Sequence, residues 1–286
     1  MSSKYFADRQ EANFRSKSVI LAKNKSLLFI VIDPMLSKAQ ISLITSLQYK
    51  KFRTKHGLFI VEGIKSVTEF VHSSYKVQKI FATDQACAKL PKIPQSIKPI
   101  ELSETDFDKI SSLKNPQGAL ALVEMPAERE IEIQTLKNRH SLVLDDIQDP
   151  GNLGTIIRTA EWFGIQHIIC SKGTVDAYNP KVVQATMGSL ARVQLYYTDI
   201  QALILQQELP TFGALLNGES IYDVDFGKEG LIVMGNEGNG ISSELIPTLN
   251  TAVTIPRIGQ AESLNVAVAT TIFCSELARQ HLKKRG

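Results

Sequence analysis

Three separated stretches of this chain bring together side chains that packing alone does not require. In DDIQDPGNLGTIIRTAEWFG, Pro150, Gly151 and Gly154 shape a turn, and Asn152 is placed to cap the helix beside it. Leu153, Ile156, Ile157, Ala160 and Phe163 recur at helical spacing, and Arg158 departs from that stripe. Its guanidinium could hold an anion or developing negative charge, although one such arginine alone reads as a solvated helix residue. In IVMGNEGNGISSEL, Gly235, Gly238 and Gly240 allow close backbone approach, Glu237 sits at the apex, and Ser242 or Ser243 is placed to cap a following helix. A glycine-rich loop before a helix can cradle phosphate, but Glu237 would repel it, no Gly-Lys-Ser/Thr follows, and the dinucleotide fingerprint G-x-G-x-x-G is missing after the first strand. The loop suits a neutral or cationic ligand. In IPRIGQAESLNVAVATTIF, Pro256 ends an extended run, Gly259 permits a bend, Ser263 is expected to cap a long helix, and Asn265 offers an amide inside its first turn. An asparagine there needs a polar partner or a ligand.

Strands must hold these stretches at a common edge. The runs 141–146 and 167–171 read as buried strands with a helix between them, 212–216, 231–235 and 252–256 read as strands that each run into a turn or loop, and a last helix runs from about Ser263 to Lys284. A parallel sheet covered by helices follows, and in such sheets ligands bind at the carboxyl ends of strands. Upstream, 58–63, 79–83 and 119–124 read as strands and 64–71 as a helix, forming an alternating α/β module. Residues 126–139, charged and opened by Pro126, suit a connector. Residues 1–34 read poorly as a folded unit and are taken as an N-terminal extension or alternative start, a candidate for disorder, with Met35 opening the fold.

The formal charge of +3 conceals an asymmetry. Residues 1–139 carry 22 Lys and Arg against 14 Asp and Glu, net +8, whereas residues 140–286 carry 10 against 15, net −5. The basic half suits a polyanion, because cations placed at phosphates release counterions; a merely solvated lysine-rich surface is the plain alternative. At 43% apolar and 21% charged over 286 residues, wholesale disorder is excluded. The longest apolar run, at Leu27 to Ile32, falls far short of the roughly 20 residues that cross a bilayer. The charged N-terminus lacks a leader pattern, and three scattered cysteines, Cys87, Cys170 and Cys274, form neither a disulfide framework nor a zinc site. A cytoplasmic, metal-free protein is expected.

NLGTIIRTA, IVMGNEGNG and IPRIGQAESLNVAVA, in this order, resemble the three motifs of the SpoU/TrmH family of SPOUT methyltransferases over about residues 140–286. The stretch from about Met35 to Glu124, with SLQYKKFRTKHGLFIVEG, resembles the smaller L30e-like substrate-binding α/β domain fused to many members, giving a domain of residues 35–125. The resemblance implies an S-adenosylmethionine-dependent RNA 2′-O-methyltransferase, with an α/β domain of parallel sheet tied in a deep trefoil knot, one of the rare exceptions to unknotted topology, and acting as a homodimer. On that pattern Arg158, Asn152, Glu237, Ser263 and Asn265 match catalytic positions, while Leu216, Asn217, Gly218, Gly235, Ile255 and Leu264 match cofactor-binding stretches that act largely through backbone groups. Arg257 stands where a methionine is common, and Ala267 where a second serine often follows.

Methyl transfer from a sulfonium to a ribose hydroxyl is an in-line displacement that needs no metal. A guanidinium stays protonated, so the expected role of Arg158 is to hold the ribose and adjacent phosphate and stabilise negative charge, with a neighbouring group or water taking the proton. Lys50, Lys51, Arg53 and Lys55 are expected to anchor phosphates. Ribosomal RNA is favoured over transfer RNA by analogy with the L30e-like extension. Two other readings compete: a non-catalytic RNA-binding or assembly protein that keeps the fold, opposed by the intact Asn152, Arg158 and Asn265, and, more weakly, a nucleotide-phosphate enzyme using Gly235 to Gly240.

Overall fold

The strands form where apolar runs leave no polar face. His140–Leu144 and Gly230–Met234 are buried at every position, the pattern of strands covered on both sides. The computed structural model describes residues 36–127 and 130–283, preceded by two short strands, β1 (Val19–Leu21) and β2 (Leu28–Ile30), that pair antiparallel. The rest of the expected extension, residues 1–34, lies outside the described residues.

The first half holds α1 (Lys38–Ser46), α2 (Lys50–His56), β3 (Leu58–Glu62), α3 (Ile64–Val71), β4 (Val77–Thr83), α4 (Asp84–Cys87), β5 (Ile100–Leu102), α5 (Glu104–Phe107) and β6 (Ala119–Glu124). Its sheet runs β3-β6-β4-β5, antiparallel except between β4 and β5. The second half holds β7 (His140–Leu144), α6 (Pro150–Trp162), β8 (His167–Ser171), α7 (Pro180–Thr186), β9 (Gln194–Thr198), α8 (Ile200–Leu205), β10 (Thr211–Ser220), β11 (Gly230–Met234), β12 (Thr251–Thr254) and α9 (Val266–Lys283). Its six strands run β12-β10-β11-β7-β8-β9 and every pairing is parallel, so all carboxyl ends share one edge. Among the described residues no helix is long and apolar enough to cross a membrane.

One apolar cluster spans both halves, from Phe59, Phe70 and Val123 to Leu142, Ile157 and Phe273, so the two sheets share buried surface. Helix α6 buries Leu153, Gly154, Ile156, Ile157 and Ala160, the expected stripe, while Phe163 is its half-buried C-cap. Gly154 is fixed by packing: a Cβ would come within 2.4 Å of the Ala185 Cβ, so α6 and α7 touch through it.

The structure corrects three caps. Asp149, not Asn152, caps α6, its Oδ1 accepting from the Asn152 backbone N–H at 2.8 Å, with Pro150 opening the helix. Helix α9 begins at Val266 rather than Ser263, and Asn265 is its cap: Oδ1 accepts from the N–H groups of Ala267 and Val268 at 2.9 and 3.3 Å. Ser242 and Ser243 cap no α-helix, because Pro247 breaks the segment into a turn and a short 3-10 helix, Ile246–Thr248.

Candidate active site

Each of the three loops is built locally and then tied to the others. After β7 the chain turns through Asp146, whose φ is +58°, a conformation that Asp tolerates better than most residues. That brings Asp149 to the start of α6 and leaves the Asn152 side chain free of capping duty. After β11, Asn236 and Gly240 exchange two backbone hydrogen bonds of 2.9 Å. Gly235 is indispensable to this closure, since a Cβ there would lie 2.1 Å from the Gly240 carbonyl carbon. The Asn236 Oδ1 accepts from the N–H groups of Gly238 and Asn239, fixing the turn, and its Nδ2 donates to the Asp146 carbonyl at 2.7 Å. The buried Asp145 carboxylate accepts from the Ser242 N–H at 2.8 Å, a second tie between the same loops.

Across these loops runs a directional chain of side-chain hydrogen bonds. Asn265 Nδ2 donates to Asn152 Oδ1 at 2.9 Å, and Asn152 Nδ2 donates to Glu237 Oε1 at 2.9 Å. The direction is forced from both ends. A carboxylate only accepts, so Asn152 must turn its amide nitrogen to Glu237; the Asn265 oxygen is committed to the α9 backbone, so its nitrogen must face Asn152. Residues from three strand ends, 85 and 113 positions from Asn152 in sequence, are thereby held in one row.

Arg158 lies on α6 beyond Asn152, exposed, with no hydrogen-bond or ion-pair partner among the described residues. Ser263 is exposed and outside the Asn–Asn–Glu row. Leu216, Asn217 and Gly218, expected in a loop after the strand, lie inside β10, but Ala214 and Glu219 both register with Val253, so residues 215–218 bulge out of the ladder. Leu216 is exposed there, its carbonyl accepting from Thr254 Oγ1 at 3.0 Å, and Gly218 touches the backbone of Ala252, where a Cβ would sit 2.5 Å from its carbonyl oxygen. Ile255 follows β12 and is partly buried, and Leu264 precedes α9 and is half-exposed. Because β12, β10 and β11 are parallel neighbours, the segments carrying these six positions reach the same sheet edge.

Arg53 departs from expectation. Its side chain is 2% exposed and bonded to Asp176, so its guanidinium is spent inside the protein and is not offered to phosphate; Lys50, Lys51 and Lys55 are exposed. Reading the sequence overlooked Asn236, Asp145 and Asp149. Only Asp149 carried a local signal, an aspartate immediately before Pro150 at a helix start. No cysteine is prepared as a nucleophile: burial pushes the Cys170 thiol up, the Cys274 thiol to about 12, and Cys87 up as well, with the Glu101 charge adding to it.

A fully parallel sheet whose carboxyl edge carries glycine-closed loops, a fixed amide–carboxylate row and an unpaired arginine defines an open-sheet α/β enzyme. The chain belongs to the SpoU rRNA Methylase family, whose model matches residues 139–275, and an MRM3-like substrate binding domain matches residues 38–121. It is 33% identical over 81% of its length to the 23S rRNA (guanosine(2553)-2'-O)-methyltransferase RlmP of Bacillus subtilis, covering 92% of that protein. A TrmH-family structure from Porphyromonas gingivalis superposes with a TM-score of 0.77 at 40% identity over 86% of this chain and 99% of the other. The AdoMet-bound rRNA methyltransferase from Sinorhizobium meliloti does so at 0.75 and 30% identity, over 86% of this chain and 96% of the other.

Proposed function

We propose that this chain transfers the methyl group of S-adenosylmethionine to a ribose 2′-hydroxyl of ribosomal RNA. The observation that carries this reading is the row Asn265–Asn152–Glu237 at the strand-end edge, whose central member Asn152 stands on the helix that also presents the unpaired Arg158, in a chain of the SpoU family. The cradle fits the cofactor: the bulge at 215–218 leaves backbone groups outside the sheet ladder, and Gly218 and Gly235 let their loops close against Ala252 and Gly240 so that this backbone edge keeps its shape. Leu216, Asn217, Gly218, Gly235, Ile255 and Leu264 would hold it. When bound, S-adenosylmethionine supplies an electrophilic methyl group on a sulfonium.

Arg158 holds the ribose and its phosphate and stabilises negative charge as the hydroxyl loses its proton to a neighbouring group or water. Asn152 and Asn265 fix Glu237, and Ser263 lines the same approach. Lys50, Lys51 and Lys55 anchor phosphates, residues 35–125 serving RNA binding, 126–139 joining and 140–286 methyl transfer. The same reading includes a trefoil knot, supported by membership of the SpoU family, and a homodimer, supported by the half-exposed Leu264 and Val268 at the start of α9, working in the cytoplasm. Arg158→Ala should abolish methyl transfer to RNA while calorimetry shows cofactor affinity nearly intact; equal loss of cofactor binding would refute the role assigned to it. An absence of S-adenosylmethionine binding by the wild-type chain would favour the non-catalytic RNA-binding reading.

A further inference from the structure

Helix α2 presents opposite sides of the molecule. Lys50, Lys51 and Lys55 are exposed, whereas Arg53 is buried against the second half of the chain. Arg53 Nε and Nη2 donate to Asp176 Oδ2 at 3.2 and 2.6 Å, and Nη1 donates to the carbonyls of Leu47 and Gln48 at 3.0 and 2.9 Å. The other Asp176 oxygen accepts from the Tyr178 N–H at 2.9 Å. The two charges are therefore paired, and four of the five guanidinium N–H donors and both carboxylate oxygens are engaged, as burial demands. An apolar pair would hold two surfaces together as well or better; what the forked guanidinium adds is a defined relative orientation.

The elements around the pair lead to the active site. Val175, next to Asp176, donates to the Ile147 carbonyl at 2.8 Å, inside the loop that ends at the Asp149 cap of α6. A second arginine, Arg192, bonds Glu69 of α3 on one side and Glu161 of α6 on the other, the latter at 2.9 Å. Phe59 packs on Tyr178 with ring centroids 4.8 Å apart, a further contact between the two halves. The helix that carries the exposed lysines is thus joined to the loop and helix that carry Asn152 and Arg158.

We propose that Arg53 and Asp176 are a positioning pair, fixing the phosphate-anchoring lysines of α2 at one distance and angle from Arg158 and so selecting which nucleotide of a bound RNA is methylated. This rests on the RNA methyl-transfer reading. The test replaces both partners, Arg53→Met with Asp176→Leu, so that no buried charge is stranded, and includes Arg53→Lys as a milder variant. Each is measured with tritiated S-adenosylmethionine on a ribosomal RNA transcript that the wild-type chain methylates, with mapping of the methylated position, and with a fluorescent pair reporting the distance between the two halves.

For the double variant, cofactor affinity should stay within about twofold, while kcat/KM for RNA falls about tenfold or more, as expected when reacting groups lose fixed placement. Methyl groups should spread to neighbouring nucleotides and the distance distribution should broaden. Arg53→Lys should recover only part of the rate, because one ammonium cannot serve Asp176 and both carbonyls. Wild-type kcat/KM at a single position in the double variant would overturn the proposal, and so would a lowered melting temperature as its sole effect. If the wild-type chain methylates no RNA, the enzymatic reading fails, and an unchanged distance distribution in the double variant would separately sink the positioning pair.

Discussion

Asn265→Asp separates the stability of the fold from the geometry of the site. The side chain keeps its shape and its capping oxygen, and aspartate caps as well as asparagine, with about 0.3–1 kcal/mol added by its charge at the α9 N-terminus. What disappears is the Nδ2 donor to Asn152, and a carboxylate oxygen now faces the Asn152 carbonyl at the former 2.9 Å separation. Asn152 cannot simply reverse its amide, because its oxygen would then meet the Glu237 carboxylate. A lost hydrogen bond and an opposed acceptor together cost about 1–2 kcal/mol in the placement of Glu237, a fall of roughly five- to thirtyfold in rate. Transfer from tritiated S-adenosylmethionine to RNA gives the rate, and a thermal melt gives the stability. Asn265→Asp should lose activity while melting only slightly below the wild-type temperature, because the charge at the α9 N-terminus offsets part of the lost bond, whereas Asn265→Ala, which loses that bond and a cap worth about 1 kcal/mol, should melt clearly lower as well as losing activity. Full activity in Asn265→Asp would show that the Asn–Asn–Glu row does not position the reacting groups.

Gly235→Ala should destabilise the fold by about 1–3 kcal/mol through forced opening of the turn and should weaken cofactor binding measured by calorimetry. Gly238→Ala, whose added Cβ meets its nearest atom at 3.6 Å, is the matched control and should bind normally. Replacing Lys50, Lys51 and Lys55 together by alanine should reduce the slope of log affinity against log salt for RNA by about 2–3, as three lost phosphate contacts require; an unchanged slope would remove α2 from the RNA interface. Burial, and then the Arg139 charge, hold His167 below its ordinary value of 6.5, so the unfolded chain binds this proton more tightly. Stability from the neutral ring is therefore present above that value and is lost as pH falls below it. His167→Gln should flatten the drop in melting temperature between about pH 6.5 and 5. A parallel drop in both proteins would assign it to other groups.

Elements governed by local pattern were legible in the sequence. The strands 119–124 and 167–171 and the helix 64–71 have the bounds the apolar pattern indicates, because each run is flanked by turn residues. Strand β9, QLYYT, was missed since only Tyr196 is fully buried in it, so it lacks the apolar run of a central strand. Helix α7 was missed because it is short. The caps were misassigned where two capping residues compete: Asp149 and Asn152 stand three apart, Ser263 and Asn265 two apart, and tertiary contacts choose between them. The convergence of three motifs was readable from their order at strand ends, but the directional amide row was not, since no local rule states which asparagine gives up its amide to another loop. Arg53 shows the same limit from the other side. Four cations within six residues look alike until burial selects one.

Asn265 anchors the last helix and completes the polar row at the same time. Asn152 and Glu237 are synthesised earlier, yet the row stays open until α9 has emerged from the ribosome and docked on α6. Docking of α9 on α6 and completion of the polar row are therefore one event, and a chain in which α9 has come away lacks a finished centre even where the rest of the parallel sheet is formed.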